Sequence, residues 1–160
     1  MSFSGCTALK SVDFSGVDSI ESIGYNTFSG CKSLTSVELP RGLKIIEYGA
    51  FCDSGLTEID FSGCKNLVEI EQYAFRSCPL TDITFSNSIE IIGDEVFRWT
   101  KLNELDLSAC TSLANIGNFA FADCLNLTKL TIPDTLKSLD KFGIFYGCNN
   151  LTMINGGNNL

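Results

Sequence analysis

The sequence contains no histidine, which removes both the commonest general base and the commonest neutral metal ligand. None of its eight cysteines falls in a Cys-x-x-Cys pair, so zinc-ligand spacing is missing. A cysteine nucleophile would have no histidine to activate it. The Asp/Asn/Gly spacing of a calcium loop is absent as well. No apolar run reaches the roughly 20 residues of a membrane helix. Residues 1–12 carry neither the basic stretch nor the apolar run of a secretion signal. Positive charge is scarce: 11 Lys and Arg stand against 19 Asp and Glu, a net charge of −8 that repels nucleic acid and anionic lipid. Together these absences argue against an enzyme, a bound metal or cofactor, a membrane span and a nucleic-acid partner.

What is present is a chain of 160 residues, 44% apolar and 19% charged, the composition of one ordered domain spanning 1–160. Within it a period of 20–50 residues is plain. Leucine recurs at Leu9, Leu34, Leu56, Leu80, Leu102, Leu127 and Leu151, at intervals of 25, 22, 24, 22, 25 and 24. Three residues after each comes Val12, Val37, Ile59, Ile83, Leu105, Leu130 or Ile154, and two further on Phe14, Leu39, Phe61, Phe85, Leu107 or Ile132. This alternation has the period of a strand with one face buried. Apolar pairs follow, Ile20/Ile23, Leu43/Ile46, Leu67/Ile70, Ile89/Ile92, Leu113/Ile116 and Leu136/Leu139, which read as a second short segment on an opposite wall. A phenylalanine closes each unit: Phe28, Phe51, Phe75, Phe97, Phe121, Phe145. One unit buries too little to offset the ordering of its backbone, roughly 1–2 kcal/mol per residue, so the units must stack.

Spacing also predicts a pairing of units. The step from the strand's last apolar residue to the next alternates 6, 4, 6, 4, 6, 4 (Phe14–Ile20, Leu39–Leu43, Phe61–Leu67, Phe85–Ile89, Leu107–Leu113, Ile132–Leu136). The expected strands lie near 34–39, 56–61, 80–85, 102–107 and 127–132, with weaker ones near 10–14 and 151–154 and no long helix.

The segments Leu56-x-x-Ile59-x-Phe61-x-x-Cys64 and Leu102-x-x-Leu105-x-Leu107-x-x-Cys110 match the general leucine-rich-repeat strand. Ile46-Glu-Tyr-Gly-Ala-Phe51, Ile116-Gly-Asn-Phe-Ala-Phe121-Ala-Asp-Cys124 and Leu127-Thr-Lys-Leu-Thr-Ile-Pro133 closely resemble the BspA-like (Treponema pallidum-type) leucine-rich repeats. The resemblance implies a right-handed, curved leucine-rich-repeat solenoid of about six ribs. Its parallel sheet would lie on the concave face, with short strands or 3₁₀ turns opposite. It also implies a surface or secreted protein of the adhesin type that recognises a host or cell-surface protein. An intracellular interaction scaffold on the same fold is the alternative. The chain reads as carrying a partial repeat at each end, so a longer array is expected, or self-association through the solenoid ends.

Three sets of residues stand out. Cys6, Cys31, Cys78, Cys124 and Cys148 follow the repeat phenylalanine by three, and Cys64 and Cys110 share another repeat position with Val17. They read as small buried hydrophobes in thiol ladders, with a disulfide such as Cys6–Cys31 or Cys124–Cys148 as the alternative. The strand positions facing out hold Asp13, Glu38, Asp60 and Asp106 in one column and Glu58, Asp82 and Glu104 in its neighbour, with Lys129 the single cation. Such a face either keeps an open sheet soluble or recognises a basic patch on another protein; a cation site is the third reading. Arg98 and Trp99, beside Phe97, are either a contact hot spot or local packing. Two glycosylation sequons, Asn126-Leu-Thr128 and Asn150-Leu-Thr152, occur at chance level and decide nothing.

Overall fold

A computed structural model describes residues 2–160. The chain coils as six ribs, numbered 1 to 6, that begin at Leu9, Leu34, Leu56, Leu80, Leu102 and Leu127, with a final strand after Leu151. Main strands are β1 (Ser11–Asp13), β3 (Ser36–Glu38), β5 (Glu58–Asp60), β7 (Asp82–Thr84), β9 (Glu104–Asp106), β11 (Lys129–Ile132) and β12 (Met153–Gly156). On a second wall lie β2 (Ser22–Ile23), β4 (Ile45–Ile46), β6 (Glu69–Ile70), β8 (Ile91–Ile92) and β10 (Asn115–Ile116). All pairings are parallel, and no helix occurs among the described residues. The structure is the expected parallel solenoid, with strands shorter than the apolar pattern suggested and the last one displaced from 151–154 to Met153–Gly156.

The two walls differ from expectation in continuity. The second wall is one unbroken sheet, β2-β4-β6-β8-β10. The main wall, expected as a single sheet, divides into β1-β3, β5-β7 and β9-β11-β12. The two steps without a ladder, β3 to β5 and β7 to β9, are the two 22-residue units. A circuit shorter by two residues leaves the next strand out of hydrogen-bonding register, although the apolar positions beneath it stay stacked. Main-wall ladders therefore join β1 to β3, β5 to β7 and β9 to β11, the last continuing to β12.

A third wall is made by the phenylalanine turns. Phe3, Phe28, Phe51, Phe75, Phe97, Phe121 and Phe145 form one stack with ring centroids 5.2–5.7 Å apart and planes within 15° of parallel. Around Phe28, Phe51, Phe75, Phe97 and Phe121 the backbone hands three N–H groups to the following rib. In rib 1 these are Asn26 to Tyr48 O at 3.0 Å, Phe28 to Ala50 O at 2.7 Å and Gly30 to Cys52 O at 2.8 Å. Donating in one direction requires left-handed backbone two residues before and two after each phenylalanine. All of Asn26, Gly49, Tyr73, Glu95, Phe119 and Gly143 before it, and Gly30, Asp53, Ser77, Trp99, Asp123 and Gly147 after it, have positive φ.

The cysteines are free thiols. Next to the phenylalanine stack runs a polar column in which the Sγ of Cys31, Cys78, Cys124 and Cys148 each donates to the carbonyl of the preceding rib's phenylalanine, at 3.1, 3.0, 3.4 and 3.1 Å. Ser54 and Thr100 fill the intervening ribs and contact Cys78 and Cys124 through their hydroxyls. The thiols thus add a second hydrogen bond to carbonyls that already accept within the turn, as Phe3 O does from Cys6 N–H and Phe51 O from Ser54 N–H, a role beyond apolar filling. Burial pushes the Cys64 thiol up to about 11 and those of Cys78 and Cys110 up to about 12. The hydrogen bond with Cys148, together with burial, holds Cys124 far above its ordinary range.

Leu80 and Leu102 are fully buried in the middle of the stack, whereas Leu9 and Leu151 are half-buried at its ends. Leu→Ala at Leu80 or Leu102 is expected to cost ~2–5 kcal/mol and at Leu9 or Leu151 less, because a cavity costs most where neighbours cannot collapse into it; urea denaturation of the four variants checks this. The thiols give a second expectation. A folded pKa raised above the unfolded value stabilises fully below the unfolded value and is lost as pH climbs through the folded one. The denaturation midpoint should therefore fall between the unperturbed thiol value of 9.0 and about 12, and fall less in Cys78→Ser. Thiolate absorbance followed alongside unfolding measures it.

Candidate binding faces

The three-residue main strands turn their central side chain inward, fully buried at Ile59 and Leu105 and half-buried at Val12, Val37 and Ile83, and expose both neighbours. Asp13, Glu38, Glu58, Asp60, Asp82, Glu104 and Asp106 are all exposed on this wall. Register sets Asp13 beside Glu38 and Glu58 beside Asp82. Glu104 lies beside Lys129, whose Nζ is 3.0 Å from its Oε2. The acids do not form one uniform surface. At the missing ladder between β3 and β5 the wall sinks into a hollow of about 710 Å³. Asp18, Glu38, Arg41, Glu58, Asp60 and Asp82 line it; Asp13, Glu104 and Asp106 lie outside.

Three of the acids also have a local task. The Oδ1 atoms of Asp13, Asp60 and Asp106 accept the backbone N–H of Ser15, Ser62 and Ser108 at 2.7, 2.7 and 2.9 Å. This is the Asx turn that ends each long rib's strand. Side-chain and backbone hydrogen bonds from the serines hold the carboxyls of Asp13 and Asp106 below the usual range. Among the described residues, Glu38 and Glu58 have no such duty, so their charge is presented only to solvent.

Arg98 and Trp99 lie on the phenylalanine-turn wall. The Nε and Nη2 of Arg98 both reach Asp123 Oδ2 at 3.0 Å, and Nη1 reaches Glu95 Oε2 at 3.1 Å. Its guanidinium is 4.4 Å from the Trp99 ring centroid and 5.4 Å from that of Phe119. Arg76, one rib earlier, stands 4.5 Å from the same indole and 5.0 Å from the Tyr73 ring. Trp99 nevertheless remains 45% exposed. Tyr73, Trp99 and Phe119 all occupy left-handed positions, with φ of 63°, 62° and 54°. For a side chain with a Cβ that conformation costs roughly 1–2 kcal/mol. Ribs 1, 2 and 6 place Asn26, Gly30, Gly49, Asp53, Gly143 and Gly147 at these positions, residue types that adopt it more readily.

Comparison with known proteins follows this geometry. The sequence profile of the BspA type leucine rich repeat region matches six copies over residues 1–78 and 68–160. The chain belongs to the BspA-type leucine-rich-repeat family. No curated protein matches its sequence. Among solved structures it is similar to the Treponema pallidum leucine rich repeat protein, at 31% identity and a TM-score of 0.57 over 96% of this chain and 59% of that one. A leucine-rich repeat protein from Bacteroides ovatus has 22% identity, covering 95% and 56% of the two chains with a TM-score of 0.48. A leucine rich cell surface protein from Faecalibacterium prausnitzii has 21% identity, covering 96% and 61% with a TM-score of 0.39. This BspA-type chain thus spans about three fifths of the length of these relatives.

Inspection of the repeats alone did not single out Arg41, Asp18, Arg76, Tyr73 or Phe119. A signal for the last two exists in the BspA-type unit: they stand two residues before the repeat phenylalanine, the mirror of the place Trp99 holds after it. Arg41 follows Pro40 in the shortened turn of rib 2, where the hollow opens.

Proposed function

We propose that this chain is a protein-recognition module of the adhesin type, acting at a cell surface or after secretion, and that its main wall receives a basic segment of another protein. The observation that carries this reading is the hollow between β3 and β5. It gathers Asp18, Glu38, Glu58, Asp60 and Asp82 around a concave volume that Arg41 also lines. A solenoid of the leucine-rich-repeat type is a binding scaffold, and its family points to protein partners. A solubilising face would need charge anywhere on the wall, whereas five carboxylates at one depression, Asp18 among them, make the local potential strongly negative and steer a cation. The same reading includes self-association through β12, whose residues Met153–Gly156 are exposed; sedimentation over a concentration range should then show a mass that rises with concentration.

The test uses the acids free of turn duties. Glu38→Lys with Glu58→Lys should leave the unfolding midpoint unchanged within about 0.5 kcal/mol, as surface changes do. Association with a lysine-rich peptide should slow, most at low ionic strength, because the Debye length shrinks from ~10 Å at 0.1 M to ~3 Å at 1 M salt. Stopped-flow association rates measured across that range decide it; equal rates for wild type and double variant at low salt would return the wall to a solubilising role.

A further inference from the structure

We propose that the turn wall of ribs 3 to 5 is a second binding surface, distinct from the acidic hollow, which takes an extended proline-rich polypeptide in the polyproline II conformation. Four observations converge on it.

The left-handed backbone does not ask for aromatics here, although Tyr73 packs edge-on against Tyr48 and Phe119 against Phe142, with ring centroids 5.2 and 5.1 Å apart. The wall works with glycine, asparagine and aspartate at the same left-handed positions in ribs 1, 2 and 6, yet three successive ribs carry Tyr73, Trp99 and Phe119 there. A bulky residue held in disfavoured backbone points to a use for the side chain itself.

The side chains are fixed in place. Arg76 bridges Tyr73 and Trp99, and Arg98 bridges Trp99 and Phe119. Arg98 is itself anchored by Asp123 and Glu95. Two guanidiniums and two carboxylates make the patch neutral within a chain of net charge −8, so it attracts neither an acidic nor a basic segment and suits an uncharged one.

The backbone has little to offer an incoming strand. Tyr73, Phe75, Ser77, Glu95, Phe97, Trp99 and Phe119 donate their N–H groups to the following rib, at 2.8–3.1 Å. An occupant cannot bind by adding a strand here and must bind by packing on rings. Polyproline II needs no backbone partner, its prolines have no N–H to satisfy, and aromatic-lined surfaces are what it docks on.

The spacing also fits. Tyr73 and Phe119 hold the same turn position two ribs apart, about 9–10 Å at the separation of paired strands. One turn of polyproline II is three residues at ~3.1 Å each, so prolines at i and i+3 repeat at nearly the same distance. Trp99, from the rib between, stands on the other side of the turn, two residues after the repeat phenylalanine, and flanks the line joining Tyr73 and Phe119.

Trp99 is the only tryptophan, so its emission reports directly on this wall. Titration of the intact chain with an oligoproline peptide is expected to shift Trp99 emission saturably and with little dependence on salt, while a Gly-Ser peptide of equal length does nothing. Tyr73→Gly and Phe119→Gly should each weaken binding about thirtyfold or more, as loss of a hot-spot aromatic does. Glycine suits the left-handed backbone, but each change also removes a ring contact, Tyr73 with Tyr48 and Phe119 with Phe142, so affinity is compared at a temperature where circular dichroism shows both variants folded. No emission change with oligoproline would overturn the proposal. So would unaltered affinity in both glycine variants, or a saturable shift produced by a neutral chito-oligosaccharide and not by oligoproline, which would make the surface one for glycans.

Discussion

The phenylalanine turn is the constraint on which the rest of the structure depends. Each rib must reverse direction while keeping its backbone polar groups paired, since an unmatched buried N–H or carbonyl costs about as much as a lost hydrogen bond. The chain meets this by twisting into left-handed backbone on both sides of the ring, which turns three successive donors toward the following rib. The thiol three residues on then donates back to the preceding rib's phenylalanine carbonyl. With hydrogen bonds running both ways and the rings stacked 5.2–5.7 Å apart, the turn wall fixes the rise per rib. The remaining walls adjust to it.

That adjustment explains why the main wall can be interrupted. If its ladder set the rise, a 22-residue unit would break the solenoid. The structure instead loses two ladders and keeps its core, with Leu34, Leu56, Phe61, Leu80 and Leu102 fully buried across the breaks. Main-wall variation is therefore cheap in stability, and one of its interruptions opens the hollow that gathers the carboxylates. Unit length in such a repeat acts on surface shape and leaves packing largely alone.

The sequence displays the parts of this that follow from burial. Leucine, the aliphatic three later and the closing phenylalanine recur because each fills the same interior position, so rib count, strand position and the outward acids are legible from spacing. The left-handed columns are not, because backbone conformation is demanded there and side-chain identity is not: Asn26, Gly49, Tyr73, Glu95, Phe119 and Gly143 share one position and look unrelated. The double duty of Asp13, Asp60 and Asp106 was visible only as Asp-x-Ser, a spacing whose meaning depends on a strand ending there. Cys31, Cys64, Cys78, Cys110, Cys124 and Cys148 are buried as read, whereas Cys6, on the first turn with no rib before it, is exposed; the thiol bonds to carbonyls of another rib lie some 27 residues away in sequence and leave no local trace.

The placement of the two surfaces follows from the same mechanics. Terminal ribs of a solenoid fray, because each rib is held only by its neighbours. A strained backbone persists only where its surroundings over-determine it. Tyr73, Trp99 and Phe119 sit in ribs 3 to 5, each with a hydrogen-bonded turn on both sides, so the cost of their conformation is borne by the stiffest part of the stack. The hollow between β3 and β5 lies on ribs 1 to 4 and draws on the wall that varies without cost to the core. Rigidity is thus supplied by the turn wall and variability by the main wall. A repeat built this way can change what its main wall presents while the aromatic wall keeps its shape.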